Sequence, residues 1–140
     1  MHVTAMLTGC SALVLECNHD AALLAAGPYP PQLKERVGGR YGHLGNAQAA
    51  TLLRDIRHAG LRHVIAAHLS QQNNTPELAR AALAASLDCT PEWVGVASQE
   101  EGFEWRNVQR ADRKRLMVID QIDPKIKRRP PRFGDLHQRR

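Results

Sequence analysis

The sequence predicts an α/β protein, on the strength of two apolar runs and the helical pattern between them. Ala12-Leu13-Val14-Leu15-Glu16-Cys17 and His63-Val64-Ile65-Ala66-Ala67 are short, apolar and bounded by polar residues, as buried strands are. Between them, residues 47–59 place Ala49, Leu52, Leu53, Ile56 and Ala59 at helical spacing. Strands alternating with helices build an α/β layer.

The second run and its sequel organise the chain. His68 follows Ala67 directly, Leu69 to Asn74 is a polar loop, and Thr75-Pro76-Glu77 opens a helix that extends to about Leu87. Thr75 suits an N-cap, Pro76 the first helical turn, and Glu77 the positive helix N-terminus. His68 therefore lies where a buried strand ends, the edge at which α/β proteins build sites.

The remaining elements follow in order. Residues 1–9 read as the end of a helix. Asn18-His19-Asp20 closes the first strand, and Asp20 can cap a small-residue helix over 21–26, stopped by Gly27-Pro28. Tyr29-Pro30-Pro31 is a rigid turn, and residues 32–37 form a short helix stopped by Gly38-Gly39. Arg40 to Asn46 is a loop of Gly, His and Asn before the helix at 47–59, which Gly60 ends. Residues 92–97 are expected to form a third strand and Phe103-Glu104-Trp105 an edge strand. Two or three core strands are few for a free-standing layer, so the sequence reads as part of a larger sheet.

Aromatic residues make up 4% of the 140, so the core must be mostly Leu, Ala, Val and Ile. The net charge of +5 is unevenly spread: residues 1–105 carry 7 Lys/Arg against 10 Asp/Glu, and residues 106–140 carry 12 against 4. A domain over 1–105 and a basic, disordered tail over 106–140 are expected. Cys10, Cys17 and Cys89 are odd in number and form no CxxC pair, which suits reduced core thiols in a cytoplasmic protein. No apolar run is long enough to span a bilayer.

Four histidines, His19, His43, His63 and His68, sit at expected element edges. A neutral imidazole at a strand end is a common divalent-metal ligand. On spacing alone, a structural histidine is the better reading of His68 than a ligand, and His63, at the start of a strand, is read as structural. Asp20 is better read as a cap than a ligand, Asn73 and Asn74 as turn residues, and Trp93 and Trp105 as packing residues.

Three separated strings, LECNHD (15–20), GPYPPQLKERVGGRYGHLGN (27–46) and AHLSQQNNTPELA (67–79), resemble in order and spacing the C-terminal half of metallo-β-lactamase-fold hydrolases. The resemblance is strongest to the YycJ/WalJ-like branch, related to ribonuclease Z and PhnP-type phosphodiesterases. It implies a partial αββα sandwich over residues 1–105. It also implies a metal ligand at His68, an active-site group near the substrate phosphate at His43, and a supporting carboxylate at Glu16. Arg40, Tyr41 and Asn46, in the same loop as His43, become candidates for substrate contact. The family's usual GHLSN reads GHLGN here, so Gly45 lacks a hydroxyl.

The same resemblance exposes what this chain lacks. The family's HxHxDH string and bridging aspartate do not occur in it. One imidazole cannot hold a catalytic metal, which takes about three protein ligands and a water. The expectation is thus a fragment of a metal-dependent phosphodiesterase or nuclease, inactive alone, whose zinc or manganese is not stably bound without a missing N-terminal half. The alternative is a non-enzymatic nucleic-acid-binding module, with Lys125, Lys127, Arg128 and Arg129 of the KIKRRPPR run on phosphates through counterion release.

Overall fold

A computed structural model describes residues 2–108 and 116–119 of the chain. The element order is α1 (His2–Leu7), β1 (Ala12–Glu16), α2 (Ala21–Ala26), α3 (Pro31–Gly38), α4 (Asn46–Ile56), β2 (His63–Ala67), α5 (Pro76–Leu87), a 3-10 turn at Pro91–Trp93, β3 (Gly95–Val96) and β4 (Leu116–Ile119). The four strands form one sheet in the order β3-β2-β1-β4, and every neighbouring pair is parallel. This is an α/β fold with a small parallel sheet.

Parallel strands need helical crossovers, and the sequence supplies them with sharp ends. Asp20 Oδ1 accepts the Ala22 and Leu23 amides at 2.9 and 3.0 Å and so opens α2. Thr75 Oγ1 accepts the Leu78 amide at 3.2 Å and opens α5, with Pro76 at its first position. Gly45 caps α4 without a side chain, and Gln48 Oε1 reaches back to accept its amide at 2.7 Å. Helix α4 is shorter than the pattern over 47–59 implies. Arg57 leaves helical geometry, its guanidinium donating to Ser86 O and Asp88, and the His58 ring lies 3.0 Å from Cys10 O. Tertiary partners outweigh propensity in that last turn.

Alternation along the strands sorts their side chains. Leu13 and Leu15 of β1, in register with Val64 and Ala66 of β2, face a core completed by Leu7 of α1, Ala49, Leu53 and Ile56 of α4, and Ala79 and Leu83 of α5. All five residues of β1 are buried, Glu16 included. A carboxylate on a buried central strand is costly unless hydrogen-bonded, which directs attention to its partners.

Three expectations need correction. Residues 92–97 form a 3-10 turn and then only two strand residues, Gly95–Val96, because Pro91 at its first position favours a tight helical turn. Phe103–Trp105 is not a strand: the chain turns at a Ser98–Gly102 bridge and continues exposed, leaving Trp105 with no packing role and full solvent contact. Leu116–Ile119, expected within the tail, is instead strand β4, parallel beside β1. Residues 109–115 and 120–140, most of the expected tail, lie outside the described residues.

Candidate active site

The C-terminal ends of β1 and β2 meet where Glu16 pairs in register with Ala67, so His68 emerges beside the Glu16 side chain. His68 has φ 56°, the left-handed region. For a residue with a Cβ this conformation costs about 1–3 kcal/mol, and such strain clusters at functional sites. Hydrogen bonds hold the turn: Asn18 Nδ2 donates to His68 O at 3.0 Å, and the Ser70 amide donates to Asn18 O at 2.8 Å.

The loop before α4 delivers the second imidazole. The His43 amide donates to Val37 O, while Leu44 O accepts the Asn18 amide and the Asn46 amide donates to His19 O. The loop is thus laced to the segment just beyond β1, and His43 arrives above Glu16.

Glu16 is 2% exposed and joins the two rings. Its Oε1 accepts from His43 Nδ1 at 2.7 Å and from His68 Nδ1 at 2.8 Å; its Oε2 accepts the Leu44 amide at 3.2 Å. A carboxylate oxygen shared by two imidazole nitrogens suits rings that donate from Nδ1, the tautomer that turns Nε2 away from Glu16. The rings stand edge to face, centroids 5.2 Å apart. Both line a cavity of about 310 Å³ together with Tyr29, Gln71, Gln72 and Gln99.

A third imidazole backs the site. His19 is buried, and its Nδ1 has no hydrogen-bond partner among the described residues. Burial first, and then the neighbouring His43, hold its pKa below the ordinary histidine range, against the opposing pull of Glu16 and Asp20. A Cβ on Gly45 would stand 2.8 Å from His19 Nε2, so the glycine admits this ring. Cys17, the next residue after β1, has its thiol pushed up to about 12 by burial and by the Glu16 charge.

The donor set tests whether a metal fits. Glu16, His43 and His68 offer ligand atoms within 4.8 Å of one another. Ligands sharing one zinc at about 2.0–2.2 Å stand roughly 3.3 Å apart. The 2.7 and 2.8 Å separations are instead hydrogen bonds, the arrangement in which a carboxylate orients an imidazole and Nε2 faces the metal. The donor chemistry suits a divalent cation. The number does not: two imidazoles fall short of the three protein ligands a catalytic zinc takes.

Other sequence candidates lie elsewhere. Asn46 is buried and exchanges two hydrogen bonds with Asn74, at 2.9 and 2.8 Å, while Asn74 also donates to Cys17 O. Its amide is engaged by Asn74, and Asn46 does not line the cavity. Arg40 and Tyr41 are exposed, stacked guanidinium over ring at 5.7 Å, and do not line the cavity. Lys125, Lys127, Arg128 and Arg129 lie outside the described residues. Sequence reasoning missed Tyr29, Gln71, Gln72 and Gln99 as cavity residues. The glutamines after His68 were visible as a polar loop, but nothing local told which way they would face.

Exodeoxyribonuclease YycJ of Bacillus anthracis is 37% identical over 83 residues, covering 59% of this chain and 31% of that protein. Exodeoxyribonuclease WalJ of Streptococcus pneumoniae is 36% identical over 85 residues, again 59% of this chain and 31% of the relative. The chain thus spans under a third of the length of the curated relatives it matches. No family model matches it, and no solved structure does.

Proposed function

The aligned part of this chain belongs to the YycJ/WalJ-like branch, and from that premise we propose that it supplies one wall of a metal-dependent phosphodiesterase site acting on DNA. The observation that carries the proposal is the single carboxylate oxygen of Glu16 held between His43 Nδ1 and His68 Nδ1. The fold of the whole protein would be the αββα sandwich of the metallo-β-lactamase type, with this parallel sheet as one part of it. Further metal ligands would come from the part of the relatives' length that this chain does not span.

Each residue has a distinct task. Glu16, buried and accepting three hydrogen bonds, fixes both rings in orientation and tautomer. His68, set at the strand end by its left-handed backbone, offers Nε2 to zinc or manganese. A bound divalent cation would lower the pKa of a water and polarise the phosphoryl group. His43 acts on the substrate: protonated, it stabilises charge on a phosphoryl oxygen or gives its proton to the leaving oxygen, and Glu16 steadies the cation that forms. Arg40 and Tyr41, on the same loop at the surface, are placed to meet a strand of DNA outside the cavity.

The test is reconstitution. This chain is assayed for zinc- and manganese-dependent hydrolysis of single-stranded DNA, alone and joined to the N-terminal two-thirds of a relative. Hydrolysis by the joined protein only, lost with His68→Ala and His43→Ala, is expected. Hydrolysis that ignores metal, or that survives both substitutions, would overturn the assignment.

A further inference from the structure

We propose that the cavity beside His43 and His68 is a nucleobase pocket, with the base stacked on Tyr29 and its edge read by the amides of Gln71 and Gln72. This rests on the reading of a DNA strand as substrate and adds where its terminal base goes.

Three features distinguish the part of this cavity away from the two imidazoles from a phosphate site. First, none of the described residues lining it is Lys, Arg, Asp or Glu. A site for a bare phosphate would present cationic side chains, since neutralising that charge dominates affinity for the backbone. Second, its polar groups are mostly amides. Asn and Gln carry a donor and an acceptor side by side, the pattern that matches a base edge, as in their paired contacts with adenine. Some of these amides are already committed: Asn18 Nδ2 donates to His68 O, and Gln99 Nε2 donates to Leu69 O at 2.8 Å. Gln71 and Gln72 are exposed at the mouth, and among the described residues neither side chain holds a hydrogen bond. Third, one aromatic ring lines the cavity. Tyr29 is half-buried and lies between Pro28 and Pro30 in sequence, so its backbone, though not its side chain, is restricted by the following proline. Aromatic faces accept any base by stacking.

Size and position agree. About 310 Å³ is at the small end of ligand pockets, which run roughly 300–1,000 Å³. The two imidazoles form one wall, so a base seated here would carry its sugar and phosphate toward His43 and His68. The floor is rigid: Asn73 is buried, its carbonyl accepts the Asp20 amide at 2.8 Å, and its own amide donates to Ser70 Oγ at 3.2 Å.

The experiment titrates the isotope-labelled chain with deoxyadenosine, which has a base and no phosphate, and separately with inorganic phosphate. Saturable NMR shifts at Tyr29 and at the Gln71 and Gln72 side-chain amides are expected with deoxyadenosine, at an affinity unchanged by added salt. Tyr29→Phe should hold affinity within about twofold and Tyr29→Ala weaken it about tenfold. If Tyr29→Ala does not fold, the exposed double variant Gln71→Ala/Gln72→Ala must weaken binding instead. No saturable shift, shifts confined to other residues, or the same resonances moving with phosphate alone would each overturn the pocket. Loss of the pocket with DNA hydrolysis intact would leave the proposed function standing. Deoxyadenosine binding in a protein without hydrolysis would leave the pocket standing and remove the function.

Discussion

The two ends of the β1–β2 pair differ in a way that separates a site from a hollow. At the N-terminal end, a cavity of about 520 Å³ lies among Arg57, His58, Leu61, Cys89 and Trp93. It is larger than the one at His43 and His68, and it too has an ion pair, Arg57 to Asp88 at 2.8 Å, and a left-handed residue, Asp88. Yet the Asp88 and Arg57 side chains are 79% and 45% exposed, whereas the Glu16 side chain is 2% exposed. The Asp88 geometry is the ordinary left-handed end of a helix, where Asp is tolerated. Its ion pair is solvated and contributes about 0–1 kcal/mol. At the other end, a buried carboxylate takes two imidazoles and one amide as its partners among the described residues, and a strained residue brings in one of the rings. Volume does not mark the site; a buried charge with functional groups as its partners does.

Substitutions at the two ends should therefore part company. The largest expected effect is on catalysis. In the joined, metal-loaded protein, Glu16→Gln should lower DNA hydrolysis by about 10–100-fold, the usual cost of losing a carboxylate that orients a ligand histidine. Asp88→Asn in the same assay should leave the rate unchanged. Equal losses from the two would erase the distinction.

Stability gives the next contrast. Asn46→Ala removes two buried hydrogen bonds from the Asn74 amide and should cost about 1–3 kcal/mol in urea unfolding. Asp88→Asn at the opposite end should cost no more than about 1 kcal/mol. A reversed order would show that the amide pair does not fasten the His43 loop to the body.

pH offers a finer cut. His19 is held neutral by burial, so the unfolded chain binds a proton more readily than the folded one. Its contribution to stability is full above the ordinary histidine range and is lost as pH falls from there through the lowered value. Thermal unfolding across mildly acidic pH should fall less steeply in His19→Gln than in the unaltered chain. Parallel profiles would deny the buried neutral ring.

The smallest contrast is in thiol reactivity. Cys17, buried and with its pKa pushed up to about 12, should resist iodoacetamide at neutral pH. Cys89, half-exposed though also raised by burial and by Asp88, should be alkylated first. Mass spectrometry of timed samples gives the order.

Much of this was legible in the sequence. The helix starts at Asp20 and Thr75 follow from capping chemistry, which is local. The strands at 12–16 and 63–67 follow from apolar runs that only a parallel, helix-covered sheet would bury. His43 and His68 were legible as members of separate motifs. What stayed hidden depends on tertiary geometry. Asn46 looked like a loop polar group because nothing nearby in sequence reveals a partner 28 residues away in Asn74. The left-handed turn at His68 has no glycine to announce it. Leu116–Ile119 looked like an island in a charged tail, since pairing with β1 draws on a strand a hundred residues earlier. No helix among the described residues is long and apolar enough to cross a membrane.

The central claim is that Glu16 holds both imidazoles through Nδ1. Long-range proton–nitrogen NMR on the metal-free chain reads the tautomer of each ring directly. Protonated Nδ1 and pyridine-type Nε2 on both His43 and His68 at neutral pH, with the preference lost in Glu16→Gln, is the expected result. A proton on Nε2 of either ring, or tautomers indifferent to Glu16, would contradict it.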